Sequence, residues 1–167
     1  MVKLRRMLAH LLPPPWVLLR RSFDADSLQA IESAVAAAER DHSAEIRFAV
    51  EASLDFRALL GGKSARERAI EVFSELRVWD TAENNGVLIY VLLADHDVEI
   101  VADRGIASKV EAGEWESVCQ DMETQFRARR YRDGAIAGVR RVGEILARHY
   151  PGRDRAGNEL PDRPHVL

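Results

Sequence analysis

The stretch "NNGVLIYVLLADHDVEIVADRG", residues 84–105, decides how the rest of the chain is read. From Gly86 to Ala94 every residue is apolar. The run is too short to cross a bilayer and rich in β-formers, so it reads as a central strand buried on both faces. "VEIVA" (98–102) follows after a three-residue break, which folds the two segments into a hairpin. Asp95, His96 and Asp97 mark its turn, while Asp103, Arg104 and Gly105 mark the opposite end. Six residues of strand separate Asp97 from Asp103, about 20 Å at about 3.3 Å per residue. One ion cannot bind both groups.

Working outward, "AEIRFAVEA" (44–52) alternates: Ile46, Phe48 and Val50 face one way, and Glu45, Arg47 and Glu51 the other. That is a strand with one wet face. Ahead of it Leu28, Ile31, Val35 and Ala38 form a helical stripe, with Asp26 and Gln29 in a capping-box pattern. Between the strands, Ser64 and Glu67 form a second capping box. Ala69, Ile70, Phe73 and Leu76 give that helix its apolar face. Strand, helix, strand across 44–94 implies a parallel crossover. Two closing helices carry Trp115, Val118, Cys119, Met122 and Phe126, then Ile136, Val139, Val142, Ile145 and Leu146, and stop at Tyr150-Pro151-Gly152. The sum is one mixed α/β layer domain. It spans residues 23–150, with an N-terminal arm (1–22) and an extended or mobile tail without periodicity (151–167).

Length and composition bound the function. The 167 residues suffice for one core, and 47% hydrophobic with 31% charged residues is a soluble balance. A net charge of -3 and a pI near 6.0 give no electrostatic case for nucleic acid. A single cysteine, Cys119, allows no internal disulfide and fits a reducing compartment. The arm, "MVKLRRMLAHLLPPPWVLLRR", starts basic and continues apolar. Pro13, Pro14 and Pro15 interrupt it, Arg20 and Arg21 close it, and no small-residue cleavage site follows. A cytoplasmic location is therefore expected. Trp16, Val17 and Leu18 are expected to pack on the domain's own side, the other reading being contact with a membrane surface or a partner.

Several motifs fail on their own chemistry. "LLGGKS" lacks the phosphate-loop glycine, since Arg57 occupies its place, and Ser64 already serves as a helix cap. "ADHDVE" is similar to the first motif of aspartate-nucleophile phosphatases, with Asp95 attacking and Asp97 as acid. Glu99 departs from that pattern, and the chain turns straight into a second strand. Paired-cysteine, helix–zinc and serine-elbow motifs are absent, and the five histidines are scattered, with His96 expected exposed at the turn.

The other end of the hairpin gathers oxygens. "WDTAENNG" (79–86) feeds the central strand, so Asp80, Thr81, Glu83, Asn84 and Asn85 can approach Asp103 and Arg104. In a parallel crossover Glu45 lies at the same end. Such a donor set suits a hard cation, calcium or magnesium, with Asp80, Asn84 and Asp103 as first candidates and Glu45 and Arg104 beside them. The same residues also make ordinary caps and turns bridged by Arg104, and both readings stay open.

"NNGVLIYVLLADHDVEIVADRG", the Trp-bearing helix after it and "FRARRYRDGAIAGVRRVGEIL" (126–146) together resemble the TPM domain over roughly residues 24–150. Asn85, Gly86, Asp95, Asp103 and Gly105 match the family pattern best, whereas Ala107 stands where the family carries an acidic residue. The resemblance implies a three-layer α/β/α sandwich with a small mixed sheet, related to Rossmann-like folds. Family members include thylakoid-lumen and bacterial membrane-anchored proteins, with calcium binding and acid phosphatase activity attributed to some. The expectation is an accessory or binding domain that holds calcium or magnesium and serves an unidentified protein partner, membrane-associated or not. The alternatives are a metal-assisted phosphatase acting on phosphate monoesters and a scaffold whose acidic cluster is turn chemistry. Nothing in the sequence names a nucleophile with an orienting partner, or sets an oligomeric state.

Overall fold

The computed structural model describes residues 2–152 and 157–167. Two helices, α1 (Val2–Leu11) and α2 (Pro15–Ser22), form the arm. They are followed by α3 (Ala25–Ala38), β1 (Glu45–Glu51), α4 (Phe56–Leu60), α5 (Ala65–Glu75), β2 (Gly86–Leu92) and β3 (Asp97–Ala102). Then come α6 (Arg104–Ala107), α7 (Ala112–Arg127), α8 (Tyr131–His149) and β4 (His165–Val166). The sheet order is β3-β2-β1-β4. Strand β1 runs parallel to β2 and to β4, and β2 is antiparallel to β3.

The hairpin forms as its sequence dictates. All seven residues of β2 are buried, because β2 is flanked by strands on both edges and helices on both faces. A short 3-10 turn, Leu93–Asp95, and His96 in a left-handed conformation (φ 53°) reverse the chain. On one face Val87, Ile89 and Val91 meet Ile46, Phe48 and Val50 under α3, α7 and α8. On the other, Leu88, Tyr90 and Leu92 meet Ala49 under α5, with Ala65, Ala69 and Val72. This is the three-layer α/β/α sandwich with a small mixed sheet.

Ser64 and Glu67 make the reciprocal capping box at the start of α5. The face of α5 is rotated from the expected one: Ala65, Ala69 and Val72 are buried and Ile70 is exposed. For α3 the cap is Asp24, not Asp26. Asp24 has extended backbone and accepts from Ser27 N at 2.8 Å, while Asp26 lies in the first turn. An acidic residue there favours the helix dipole without capping it.

The wet face expected for β1 is covered. Glu45 and Arg47 are 2% and 7% exposed because the tail returns over them. Arg47 Nη1 donates to the carbonyls of Pro161 and Arg163, both at 2.6 Å, and Leu160 N donates to Glu45 at 2.9 Å. Leu160 enters the second core and β4 pairs with Ala49 and Val50. The described residues 157–167 run back over β1, and His165–Val166 add a fourth strand to the sheet.

Candidate functional site

Candidate groups lie at both ends of the sheet. At the amino end of β2, Asp103 follows β3 and caps α6, accepting from Arg104 N at 2.7 Å. Its own N–H bonds to Gly86 O at 2.9 Å, which fixes it opposite the first residue of β2. Glu45 pairs in register with Gly86, so the end predicted from parallel pairing does gather Glu45, Asn84, Asn85 and Asp103. Asn84 has a left-handed backbone (φ 52°), its carbonyl accepts from Gly105 N at 3.1 Å, and its side chain lies 3.4 Å from Arg104 Nη2. Gly105 backs directly onto this turn. A Cβ there would come within 2.5 Å of Asn84 O and 3.1 Å of Glu83 O.

Asp103 is 9% exposed, and its Oδ2 is buried with no hydrogen-bond partner among the described residues. Asn85 Oδ1 is likewise buried and unmatched, although its amide donates to Ser43 O at 2.6 Å. The other candidates are engaged elsewhere. Asp80 is exposed and pairs with Arg77 at 2.7 Å. The Glu45 carboxylate holds the tail through Leu160 N. Among the described residues no group of three or more His, Cys, Asp or Glu side chains is arranged around a common metal position.

At the opposite end Asp95 and Asp97 behave differently. Asp95 accepts from Arg6 Nε at 3.0 and 3.2 Å and lies 3.0 Å from His10 Nε2. Leu54 N donates to His10 Nδ1 at 3.0 Å, so the ring proton belongs on Nε2, aimed at Asp95. Burial by itself would raise the Asp95 carboxyl, but hydrogen bonds from His10 and Arg6 outweigh it and hold the group below the usual carboxylate range. No cation among the described residues offsets the burial of Asp97. Burial, with Glu123, Glu99 and Asp95 close by, pushes it up to about 6. His96 is half-buried, not exposed, and stacks beside Tyr131, whose hydroxyl lies 3.3 Å from Nε2.

Arg6 and His10 are absent from the residues singled out by sequence. Their signal was present. They stand four apart on one helical face, opposite Leu4, Leu8 and Leu11. The arm therefore lies over the carboxyl ends of β1 and β2, the edge where open α/β sheets bind ligands. His10, Leu11 and Pro15 wall one side of a cavity of about 520 Å³ there, shared with Ser53, Lys63 and Arg68.

A mixed open sheet between helical layers, with no serine elbow and no complete phosphate loop, defines a small α/β sandwich of the Rossmann-like class. A family model of the TPM domain matches residues 20–145. The chain belongs to the TPM-domain family. The NMR structure of BA42 from the psychrophilic bacterium Bizionia argentinensis is similar at a TM-score of 0.74 and 29% identity, over 86% of this chain and 94% of that one. The N-terminal domain of a P. gingivalis protein is similar in fold, at a TM-score of 0.63 and 17% identity, over 77% and 79%. No curated protein matches the chain. Among the described residues no helix is long and apolar enough to cross a membrane.

Proposed function

We infer that this chain is a TPM-domain accessory module that binds a divalent cation, calcium or magnesium, at the amino end of β2. One observation carries the reading: the buried Asp103 Oδ2 meets no donor among the described residues. A carboxylate oxygen shielded from water and left unmatched costs about 1–3 kcal/mol or more. A hard cation that prefers oxygen is the group that removes this cost. The neighbouring donors are chemically suited. Asn84 offers a side-chain oxygen on a long hydrogen bond to Arg104, and the Glu83 and Asn84 carbonyls face Gly105. Asp80 is held only by an exposed ion pair with Arg77, worth about 0–1 kcal/mol, and can turn toward a cation at little cost. With so few carboxylates the affinity falls near the weak end for calcium modules, about 10⁻⁴–10⁻³ M.

A metal-assisted phosphatase is the second reading. The same cation would polarise a phosphate ester and Arg104 would balance its charge. It ranks below the accessory role because Asp95, the nearest aspartate to a nucleophile motif, has both oxygens committed to Arg6 and His10.

Thermal unfolding with and without calcium or magnesium tests both. At a tenfold excess over the dissociation constant the stabilisation is about 1.4 kcal/mol, a rise of a few degrees in Tm. Asp103→Asn keeps the cap, because asparagine caps equally well, and is expected to abolish the rise. Absence of a shift in the wild-type chain with either ion sinks the cation reading. Hydrolysis of a phosphate monoester that vanishes in Asp103→Asn would promote the phosphatase.

A further inference from the structure

The N-terminal arm presents an apolar stripe that the domain leaves uncovered. Leu4, Leu8 and Leu11 fall on one face of α1, and Leu12 after it and Trp16 in α2 are exposed too. Their exposures are 64%, 49%, 50%, 66% and 63%. Trp16 thus departs from the expectation that it packs inward. Leu18 and Leu19, on the other side of α2, pack on the core. Beyond the arm, exposed Phe56 of α4 lines the same cavity as Leu11 and Pro15, which Glu51, Asp55 and Glu71 also line. Large exposed leucines at helical spacing are not scattered surface residues. On α1 they form one face, and exposed Leu12 and Trp16 follow it in the chain, an apolar surface that calls for a partner.

Charge says which partner. Residues 1–22 contain five Lys and Arg and no Asp or Glu, whereas the remainder carries 19 basic against 27 acidic residues. Within the arm, an apolar helical face and an exposed tryptophan are accompanied in sequence only by basic charge, Lys3, Arg5, Arg20 and Arg21 in addition to the inward Arg6, which matches a bilayer surface rich in anionic headgroups. Two arms from two copies would set these positive charges against each other. The arm is also held at a fixed angle. Arg6 and His10, on the inward face, clasp Asp95. Phe23, at the end of α2, sits edge-on to Phe48, Phe126 and Tyr131 at 6.2, 6.0 and 5.8 Å. Inward anchoring leaves the leucine stripe turned outward and preordered, so docking costs little conformational entropy.

We propose that the α1–α2 arm is a peripheral membrane-docking element that seats Leu4, Leu8, Leu11, Leu12 and Trp16 in the interface of an anionic bilayer. The domain then rides on the membrane with the Asp95 latch facing the arm and the Asp103 end directed away. This does not depend on cation binding at Asp103.

The test is co-sedimentation of the full chain with vesicles of phosphatidylcholine alone and of phosphatidylcholine mixed with phosphatidylglycerol. The expected result is binding to the anionic vesicles, weakened by salt, with little binding to the neutral ones. A Leu4→Ser/Leu8→Ser/Trp16→Ser variant touches exposed positions only and is expected to keep its circular dichroism while losing about tenfold or more in vesicle affinity. Equal binding to both vesicle types, no binding to either, or undiminished binding by the variant would overturn the proposal. So would a concentration-dependent dimer in gel filtration that the variant abolishes, without vesicle binding by the wild-type chain. That outcome assigns the stripe to a second copy of the chain.

Discussion

His10 and Asp95 stand 85 residues apart in sequence and 3.0 Å apart in the fold. Arg6 shares the same carboxylate. This contact ties the first helix to the turn between β2 and β3 and makes the arm part of the domain.

Removing the carboxylate leaves a buried His10 without its acceptor and Arg6 with only the Lys63 carbonyl, at 2.8 Å. Asp95→Ala is expected to cost about 2–4 kcal/mol in urea unfolding and to speed tryptic cleavage in α1. The wild-type latch also weakens in acid. The Asp95 carboxyl is depressed in the folded state, so its contribution is fully present above the ordinary pKa of 3.8 and is lost as pH falls below that value. Unchanged cleavage in the Asp95→Ala chain would show that Asp95 does not hold the arm.

Asp97 predicts the opposite pH dependence. Its folded pKa, about 6, lies above the ordinary 3.8, so the native state holds the proton more tightly. Protonation therefore stabilises the fold, and stability declines as pH rises from about 4 through 6. Asp97→Asn removes the penalty. It is expected to gain about 1–2 kcal/mol at pH 7.5 and nothing near pH 4. A gain of equal size at both pH values would contradict this account.

A buried guanidinium is one anchor of the tail strand. Arg47→Ala deletes both 2.6 Å bonds, to Pro161 O and Arg163 O. The expected loss is about 2–3 kcal/mol, the size of charge-assisted hydrogen bonds in a buried site. Hydrogen exchange should rise across 157–167 and at the β4 edge of β1, and leave β2 and β3 protected.

Two glycines form a matched pair. A Cβ on Gly86 would collide with the carbonyl oxygen of Val78, so Gly86→Ala is expected to cost about 3 kcal/mol or more. Gly113, in α7, has nothing within 4 Å of the added atom. Gly113→Ala should gain up to about 1 kcal/mol. Chemical denaturation of the two variants checks both signs at once.

Much of the fold was legible because its signals are local. The apolar run from Gly86, the capping box of Ser64 and Glu67, and the stripes of α7 and α8 each act within a few residues of chain. The parallel pairing of β1 with β2 followed from strand–helix–strand order, and with it the meeting of Glu45, Asn84 and Asp103 at one end. The misreadings share a cause. Glu45 and Arg47 alternate like solvent-facing residues, yet a segment more than 110 residues later covers them. Asp26 has the spacing of a cap, but the backbone turns into the helix two residues earlier, at Asp24.

The sequence by itself determined α3, β1, α5, β2, β3, α7 and α8 and their order, the two-faced burial of β2 and the separation of Asp97 from Asp103 to opposite ends of β3. Periodicity, caps and turn residues are short-range forces, and they are written where they act. Tertiary structure alone decided which polar groups meet: Arg6 and His10 with Asp95, Arg47 with the returning tail, Asp103 with its unmatched oxygen. A buried polar atom takes its energy from whatever lies within about 3 Å. That neighbour is set by how distant segments pack, which no local pattern records.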